Sequence, residues 1–324
     1  MLVLGIETSC DESSASVVED GRTVLSNIVS SQIEVHRKFG GVVPEVAARK
    51  HTEALNGVIG EALSESGREM EDIELVAVTA GPGLVVSLVV GIAAARAISM
   101  VHSIPAIGVN HLEGHILAVP LSNKDLGGPA ICLLVSGGHT EIIRVGGIGE
   151  YEVLGHTVDD AAGEAFDKVA RLLGLGYPGG PAIEKASRNG DASRIRFPRP
   201  MIGEGNYLLS FSGLKTAVVN YLKKNDSGTG EKGFEAEDVA ASFQEAAVDV
   251  LVKKTVRAAV ENNVDQVWLA GGVAANKLLR EWMQKECEKE GIEFFTPPFY
   301  LCTDNVAMIA RTGYELYRKR KPGL

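Results

Sequence analysis

Apolar runs alternate with short polar turns along this chain. Leu2-Val-Leu-Gly-Ile6 is apolar without a break and reads as a buried strand. A polar turn, Glu7-Thr-Ser-Cys-Asp-Glu12, follows it, and residues 15–18 and 23–29 read as returning strands. A helix is predicted from Pro44, since proline suits the first helical turn. Residues 73–79 form another predicted strand, broken by Gly81-Pro-Gly83. The stretch 84–95 is the most apolar later run. It reads as a buried helix, too short to span a bilayer and ended by Arg96. Residues 104–110 are strand-like and lead into a predicted helical turn, His111-Leu-Glu-Gly-His115.

The second half begins in the same way. Ala130-Ile-Cys-Leu-Leu-Val135 is a strand, Ser136-Gly-Gly-His-Thr140 a polar turn, and Glu141-Ile-Ile-Arg-Val145 a returning strand. An amphipathic helix is expected over 159–173. After it come a stretch rich in glycine and proline, further helices, and a flexible loop over 225–233. Gln266-Val-Trp-Leu-Ala270 is a strand, Gly271-Gly272 a turn, and Asn276 opens a helix. The last helix is expected to start near Thr303-Asp304, both good N-cap residues. The repeated opening implies an α/β fold with an internal duplication, each half a sheet flanked by helices. The expected domains are 1–127 and 128–324. The boundary lies in the Ser, Asn, Lys, Gly and Pro cluster at 122–129, and the final helix, from about residue 304, is able to pack back on the first half.

Composition adds limits. At 324 residues the chain has room for two domains, and 37 glycines with 6% aromatics suit a compact protein rich in tight turns. Cys10, Cys132, Cys287 and Cys302 form no Cys-x-x-Cys pair and no disulfide-like spacing, which points to a reducing cytoplasm. The first apolar run meets Glu7 almost at once, so no signal peptide is expected. A net charge of −10 argues against a general nucleic-acid binder, except at the basic tail Tyr317-Arg-Lys-Arg-Lys-Pro322, which could touch phosphates.

Two imidazoles four residues apart share one helix face, so His111 and His115 are candidate ligands for one metal ion. They do not form a protease motif. A His-Glu-x-x-His enzyme carries its glutamate directly after the first histidine, whereas Glu113 follows two residues later, at roughly 200° around the helix. Ser136-Gly-Gly138 offers bare backbone N–H groups that can cradle a phosphate. Gly271-Gly272 before the Asn276 helix offers the same. With the matching turn at residues 7–12, these suit a nucleotide lying in a cleft between two domains. No Gly-x-x-x-x-Gly-Lys-[Ser/Thr] is present, and no Gly-x-Gly-x-x-Gly opens a helix from the first strand.

Six ordered motifs carry a resemblance that spans essentially the whole chain. They are Leu4-Gly-Ile-Glu-Thr-Ser-Cys-Asp-Glu12, Gly40-Gly-Val-Val-Pro-Glu45, Asn110-His-Leu-Glu-Gly-His115, Leu134-Val-Ser-Gly-Gly-His-Thr140, Ala270-Gly-Gly-Val-Ala-Ala-Asn276 and Thr303-Asp-Asn305. The chain resembles the bacterial branch of the TsaD family, tRNA N6-adenosine threonylcarbamoyltransferases once labelled O-sialoglycoprotein endopeptidases. The resemblance implies the duplicated actin-like (ASKHA) fold, related to ribonuclease H. It implies one divalent metal, Fe2+ with Zn2+ as the alternative, held by His111, His115 and Asp304. Read alone, Asp304 would be a helix cap. Leu134 stands where archaeal and eukaryotic relatives carry a tyrosine that can reach the metal, which leaves the fourth position to water or substrate. Leu134, Val135, Ser136, Gly137, Gly138, Asp167, Gly180, Glu184 and Asn276 are implied to line the nucleotide site, where ATP or ADP can also sit. Glu184 stands where many bacterial relatives carry aspartate, and it keeps the carboxylate for a ribose hydroxyl.

The implied reaction moves the threonylcarbamoyl group of threonylcarbamoyl-adenylate to tRNA and releases AMP. Its acceptor is N6 of the adenosine 3′ of the anticodon, in tRNAs that read codons starting with A. Asp11 is the candidate general base. The implied partners are tRNA, a TsaB-like protein, a TsaE-like ATPase and a TsaC-like enzyme that makes the adenylate, with no membrane. The helix at 84–95 or the first long helix is expected to meet the TsaB-like protein. Two other enzymes and one non-enzyme compete with this reading. A small-molecule kinase of the actin-like fold has no use for a two-histidine site. A metalloprotease is weakened by the position of Glu113. An ATP-dependent switch would leave tRNA unmodified.

Overall fold

The uninterrupted apolar runs become central strands. In the computed structural model, residues 1–39, 41–123, 126–225 and 234–320 are described. Beyond its first residue, the loop expected at 225–233 lies outside them, as do Lys321 and Pro322 of the basic tail. The chain divides into two units, one made of Met1–Leu126 with the segment from Pro297, the other of Gly127–Thr296.

The first unit runs β1 (Leu2–Glu7), β2 (Glu12–Glu19), β3 (Thr23–Ser31), α1 (Ile33–Arg37), α2 (Pro44–Ser66), β4 (Leu75–Gly81), α3 (Val85–His102), β5 (Ala106–Asn110) and α4 (His111–Ser122). The second holds β6 (Ala130–Val135), β7 (Thr140–Gly147), β8 (Glu150–His156), α5 (Ala162–Leu173), α6 (Gly179–Ser187), α7 (Ser212–Lys224), α8 (Ala236–Glu261), β9 (Gln266–Ala270), α9 (Lys277–Glu290) and β10 (Glu293–Phe295). The final helix, α10 (Ala307–Arg320), belongs to the first unit.

The two sheets repeat one topology. The first has the order β3-β2-β1-β4-β5, and the second, read from its other edge, β8-β7-β6-β9-β10. In each, three antiparallel strands are followed by two parallel ones. β1 and β6 sit at the centres and are buried along their whole length, as their unbroken apolar runs require. β8 was not foreseen. It is an edge strand with mostly exposed residues, so its sequence shows no clean alternation.

Helices α2 and α3 pack on one face of the first sheet, and α10 with α4 closes the other. Met308 and Ile309 are fully buried, which stabilises its docking by about 1.5–3 kcal/mol per side chain. Asn27 Oδ1 in β3 accepts the Ala307 N–H (3.3 Å), and Arg311 Nη1 donates to the Gly21 carbonyl (2.6 Å). Gly313 lies directly against Ala77 of β4, so the helix sits as close as a residue without a side chain allows.

Three expectations need correction. The last helix starts at Ala307 rather than at Thr303-Asp304, and Asn305 Oδ1 accepts the Met308 N–H (3.0 Å) near its start. Helix α5 starts at Ala162 rather than at 159. The Asp159 carboxylate turns instead to the N–H groups of Phe211 (2.8 Å) and Ser212 (3.1 Å), where α7 begins. Helix α3 is longer and less buried than the 84–95 run suggested. It spans 18 residues, enough in length and apolar character to cross a membrane, with 22% of it buried. It packs against α2 and β4, with Ala95, Ile92 and Ile98 on their apolar cluster and Ser87 and Gly91 against Thr8, while Val85, Val89, Met100 and Val101 are exposed.

The Gly313 contact yields a stability test. Gly313→Val overpacks the α10–β4 contact and is expected to lower stability by on the order of 3 kcal/mol. Urea unfolding measures the loss; an unchanged midpoint would show that the close approach carries no weight.

Candidate functional site

Three side chains converge in the first unit. Asn110 Oδ1 accepts the N–H groups of Leu112 (2.9 Å) and Glu113 (3.3 Å), so α4 starts at His111 and puts His115 one turn later on the same side. Asp304 arrives from the loop before α10. That loop is shaped by Asn305, 1% exposed, whose amide donates to the carbonyls of Leu301 (2.9 Å) and Thr303 (3.1 Å). Asp304 Oδ1 lies 3.2 Å from His115 Nε2 and 3.5 Å from His111 Nε2. One ligand atom from each residue falls within 4.8 Å of the others.

This set fits a divalent cation. Two imidazole nitrogens and one carboxylate oxygen suit Zn2+ or Fe2+ and leave further positions open. His115 is 1% exposed; its Nδ1 has no hydrogen-bond partner and its Nε2 meets only the Asp304 carboxylate, so a cation at Nε2 would be shared by the two. Burial alone would lower the His111 pKa, yet Asp304 and Glu7 hold it well above the ordinary value. Burial alone would raise the Asp304 pKa, yet His111 and His115 hold it far below the usual carboxylate range.

Glu7 also belongs to this site, with no spacing motif in the sequence to tie it to His111. It ends β1, is 1% exposed, and places Oε2 2.9 Å from His111 Nδ1. In the sequence it is only the first residue of a polar turn, and nothing there shows that β1 ends beside α4.

The same turn carries Asp11, which is 8% exposed and whose backbone carbonyl accepts the Gln32 N–H (2.9 Å). A buried relay fixes this turn. His51 Nε2 lies 3.0 Å from the Cys10 carbonyl, and His51 Nδ1 lies 2.8 Å from Ser13 Oγ and 3.3 Å from Gln32 Nε2. His36 Nε2 reaches Gln32 Oε1 (3.2 Å), and His36 Nδ1 accepts the Val43 N–H (3.3 Å). The Gly-Val-Val-Pro stretch is thereby tied to the first turn. Beside Asp11, the Glu12 pKa is pushed up to about 9 by burial and by the charges of Asp304 and Asp11.

The remaining candidates belong to the second unit. Leu134 and Val135 are strand residues with fully buried side chains, and Val135 pairs with Thr140. Ser136 Oγ accepts the His139 N–H (3.1 Å) and closes the turn. A Cβ added at Gly137, Gly138, Gly180 or Gly272 would meet only open space. Behind them the packing is tight. A Cβ at Gly163 would meet the Ser136 carbonyl at 2.6 Å, and Gly271, at φ +90°, is pressed against Val135. Asp167 Oδ1 accepts the Gly179 N–H (2.7 Å) at the start of α6, next to Gly180. Glu184 lies one turn on and pairs with Arg188 (3.0 Å). Asn276 is buried; its Oδ1 caps α9 at Leu279 (3.0 Å) and its amide donates to Gln244 (2.8 Å). The turns are thus open in front and braced behind, as a phosphate cradle requires.

A sequence model of the TsaD family, described as tRNA N6-adenosine threonylcarbamoyltransferase, matches residues 23–311. This chain belongs to the TsaD family. A tRNA N6-adenosine threonylcarbamoyltransferase of Clostridium botulinum is 55% identical over 317 residues, covering 98% of this chain and 93% of the relative. One from Thermosipho africanus is 54% identical over 319 residues, covering 98% and 95%. Among solved structures, the (R)-2-hydroxyglutaryl-CoA dehydratase component A of Acidaminococcus fermentans matches with a TM-score of 0.59 at 17% identity, covering 98% of both chains. HypF of T. kodakarensis matches at 0.65 and 16%, over 98% of this chain and 48% of its own. At these identities the structures bear on fold alone, and they agree with the duplicated actin-like (ASKHA) architecture. The TsaD family makes this chain a tRNA-modifying transferase.

Two tests follow from the geometry. Zn2+ is expected to raise the thermal midpoint of the metal-stripped chain, because a ligand that binds only the folded state stabilises it. Asp304→Ala is expected to abolish that rise, as scanning calorimetry would show. The second test concerns pH. In the metal-free chain Glu12 keeps its proton up to about pH 9, whereas an unfolded glutamate loses it near 4.5. The unfolded state binds fewer protons over that window, so stability falls as pH rises through it. Glu12→Gln is expected to flatten this slope; an unchanged slope from pH 5 to 9 contradicts the assignment.

Proposed function

We propose that this chain transfers the threonylcarbamoyl group from threonylcarbamoyl-adenylate to N6 of the adenosine 3′ of the anticodon, in tRNAs reading codons that start with A. The observation that carries the reading is the convergence of His111, His115 and Asp304 within 4.8 Å in a chain of this family. His111, His115 and Asp304 would hold a divalent metal, Fe2+ or Zn2+, which would supply Lewis-acid polarisation of a carbonyl oxygen.

The chain's own groups do the rest. The Gly137 and Gly138 N–H groups take no backbone partner among the described residues, so they can hold the adenylate phosphate, with ATP or ADP as alternative occupants. The α6 start at Gly180, Asp167 and Glu184 supply carboxylates and an open backbone for the nucleoside. Leu134 and Val135 set the turn through their strand, and Asn276 sets the start of α9. The N6 amine attacks the carbamoyl carbon, the bond from that carbon to the phosphate oxygen breaks, and AMP leaves with the electron pair. Asp11 is the proposed acceptor of the amine proton. Anticodon-loop bases are single-stranded and can be splayed out to reach such a site.

The substrate is tRNA. TsaB-like and TsaE-like proteins are proposed as assembly partners, with the adenylate supplied by a TsaC-like enzyme. The exposed Val85, Val89, Met100 and Val101 of α3 support a protein-docking role for that helix. None of the four cysteines forms a disulfide, which supports the cytoplasmic setting of this reading.

The decisive assay incubates tRNA with the chain, these partners, threonine, bicarbonate and ATP. Mass spectrometry of the nucleosides is expected to show threonylcarbamoyladenosine; its absence with active partners overturns the reading. In the same assay Gly137→Leu is expected to lower activity at least tenfold at unchanged stability, because the added side chain fills only the open front of the turn.

A further inference from the structure

The histidine pair is braced on one side only. His111 Nδ1 faces the Glu7 carboxylate at 2.9 Å, with Ser9 Oγ further off at 3.4 Å. His115 Nδ1 is buried without a hydrogen-bond partner. The two residues look alike in sequence and sit in the same helix, yet only one has its second nitrogen engaged.

Glu7 is itself held from several directions. Its Oε1 accepts the Ser9 N–H (2.5 Å), and its Oε2 accepts the Thr79 hydroxyl (2.6 Å) as well as the His111 N–H. It ends the central strand β1, and Thr79 lies in the neighbouring strand β4. The brace therefore belongs to the sheet rather than to a loop. A carboxylate can only accept hydrogen bonds, so it requires the proton on His111 Nδ1. That leaves the Nε2 lone pair as the free donor, on the side of Asp304.

We propose that Glu7 is a positioning residue for the metal set: it locks the ring and tautomer of His111, making His111 the fixed nitrogen ligand and His115 the adjustable one. This rests on the metal reading of the set, and it adds which ligand bears the affinity and which residue confers it. Removing such an outer partner typically costs 10–100-fold in metal affinity. A glutamine at position 7 can also present its amide N–H to Nδ1, which places the proton on Nε2 and blocks the ligand atom.

The test is Zn2+ affinity of the full chain by chelator competition, with circular dichroism as the check of folding. Glu7→Gln is expected to weaken binding by about 10–100-fold. Combined with His111→Ala it is expected to add little, and combined with His115→Ala to add its full effect, since the brace acts only through His111. Binding within twofold of the parent, or equal coupling to both histidines, overturns the proposal. Should the Glu7 variants fail to fold, 15N chemical shifts of the zinc-loaded parent decide: zinc on His111 Nε2 with the proton on Nδ1 supports it, and zinc on Nδ1 overturns it. A parent chain that binds no Zn2+ removes the metal reading as well, whereas a parent that binds and a variant that binds equally well removes only the role of Glu7.

Discussion

A carboxylate from near the C-terminus is held against two buried imidazoles from α4, and the site depends on that contact. Asp304 lies within 3.5 Å of both Nε2 atoms. Bringing three ionisable groups into a buried place is costly unless they share charge, protons or a cation. The pKa values of His111 and Asp304 move in opposite directions because each favours the charged form of the other against the cost of burial. A divalent cation would offset the buried carboxylate charge in the same place.

Packing remote from the site makes this contact possible. Asp304 is presented by a loop that Asn305 shapes and α10 anchors. Helix α10 rests on the first sheet through Gly313, Met308 and Ile309, and Gly114 of α4 leaves room for the Ile309 side chain. The chain that presents Asp304 thus runs directly into the helix that rests on β4.

Much of this was legible in the sequence, for physical reasons. Strands β1 and β6 are buried on both faces, so their apolar runs are unbroken. Asn110 before His111 is a helix start, and the i, i+4 spacing then fixes one face. The parts that escaped depend on tertiary placement. Thr303-Asp304 reads as a helix cap because the residue types suit one, but Asp304 turns to α4 and Asn305 takes the Met308 N–H. Asp159 likewise serves the start of α7 rather than that of α5. Helix α3 is apolar enough to be taken for core, yet a sheet can cover only one side of it. Glu7 was invisible as a partner of His111 because 104 residues separate them.

The central claim is that one cation binds at His111, His115 and Asp304. The most direct measurement is the coordination of the metal-loaded chain, by X-ray absorption together with anomalous diffraction. The account predicts one ion bound by two imidazole nitrogens and a carboxylate oxygen at about 2.0–2.2 Å. An ion bound elsewhere, or a site that stays empty under excess Zn2+ and Fe2+, would contradict it.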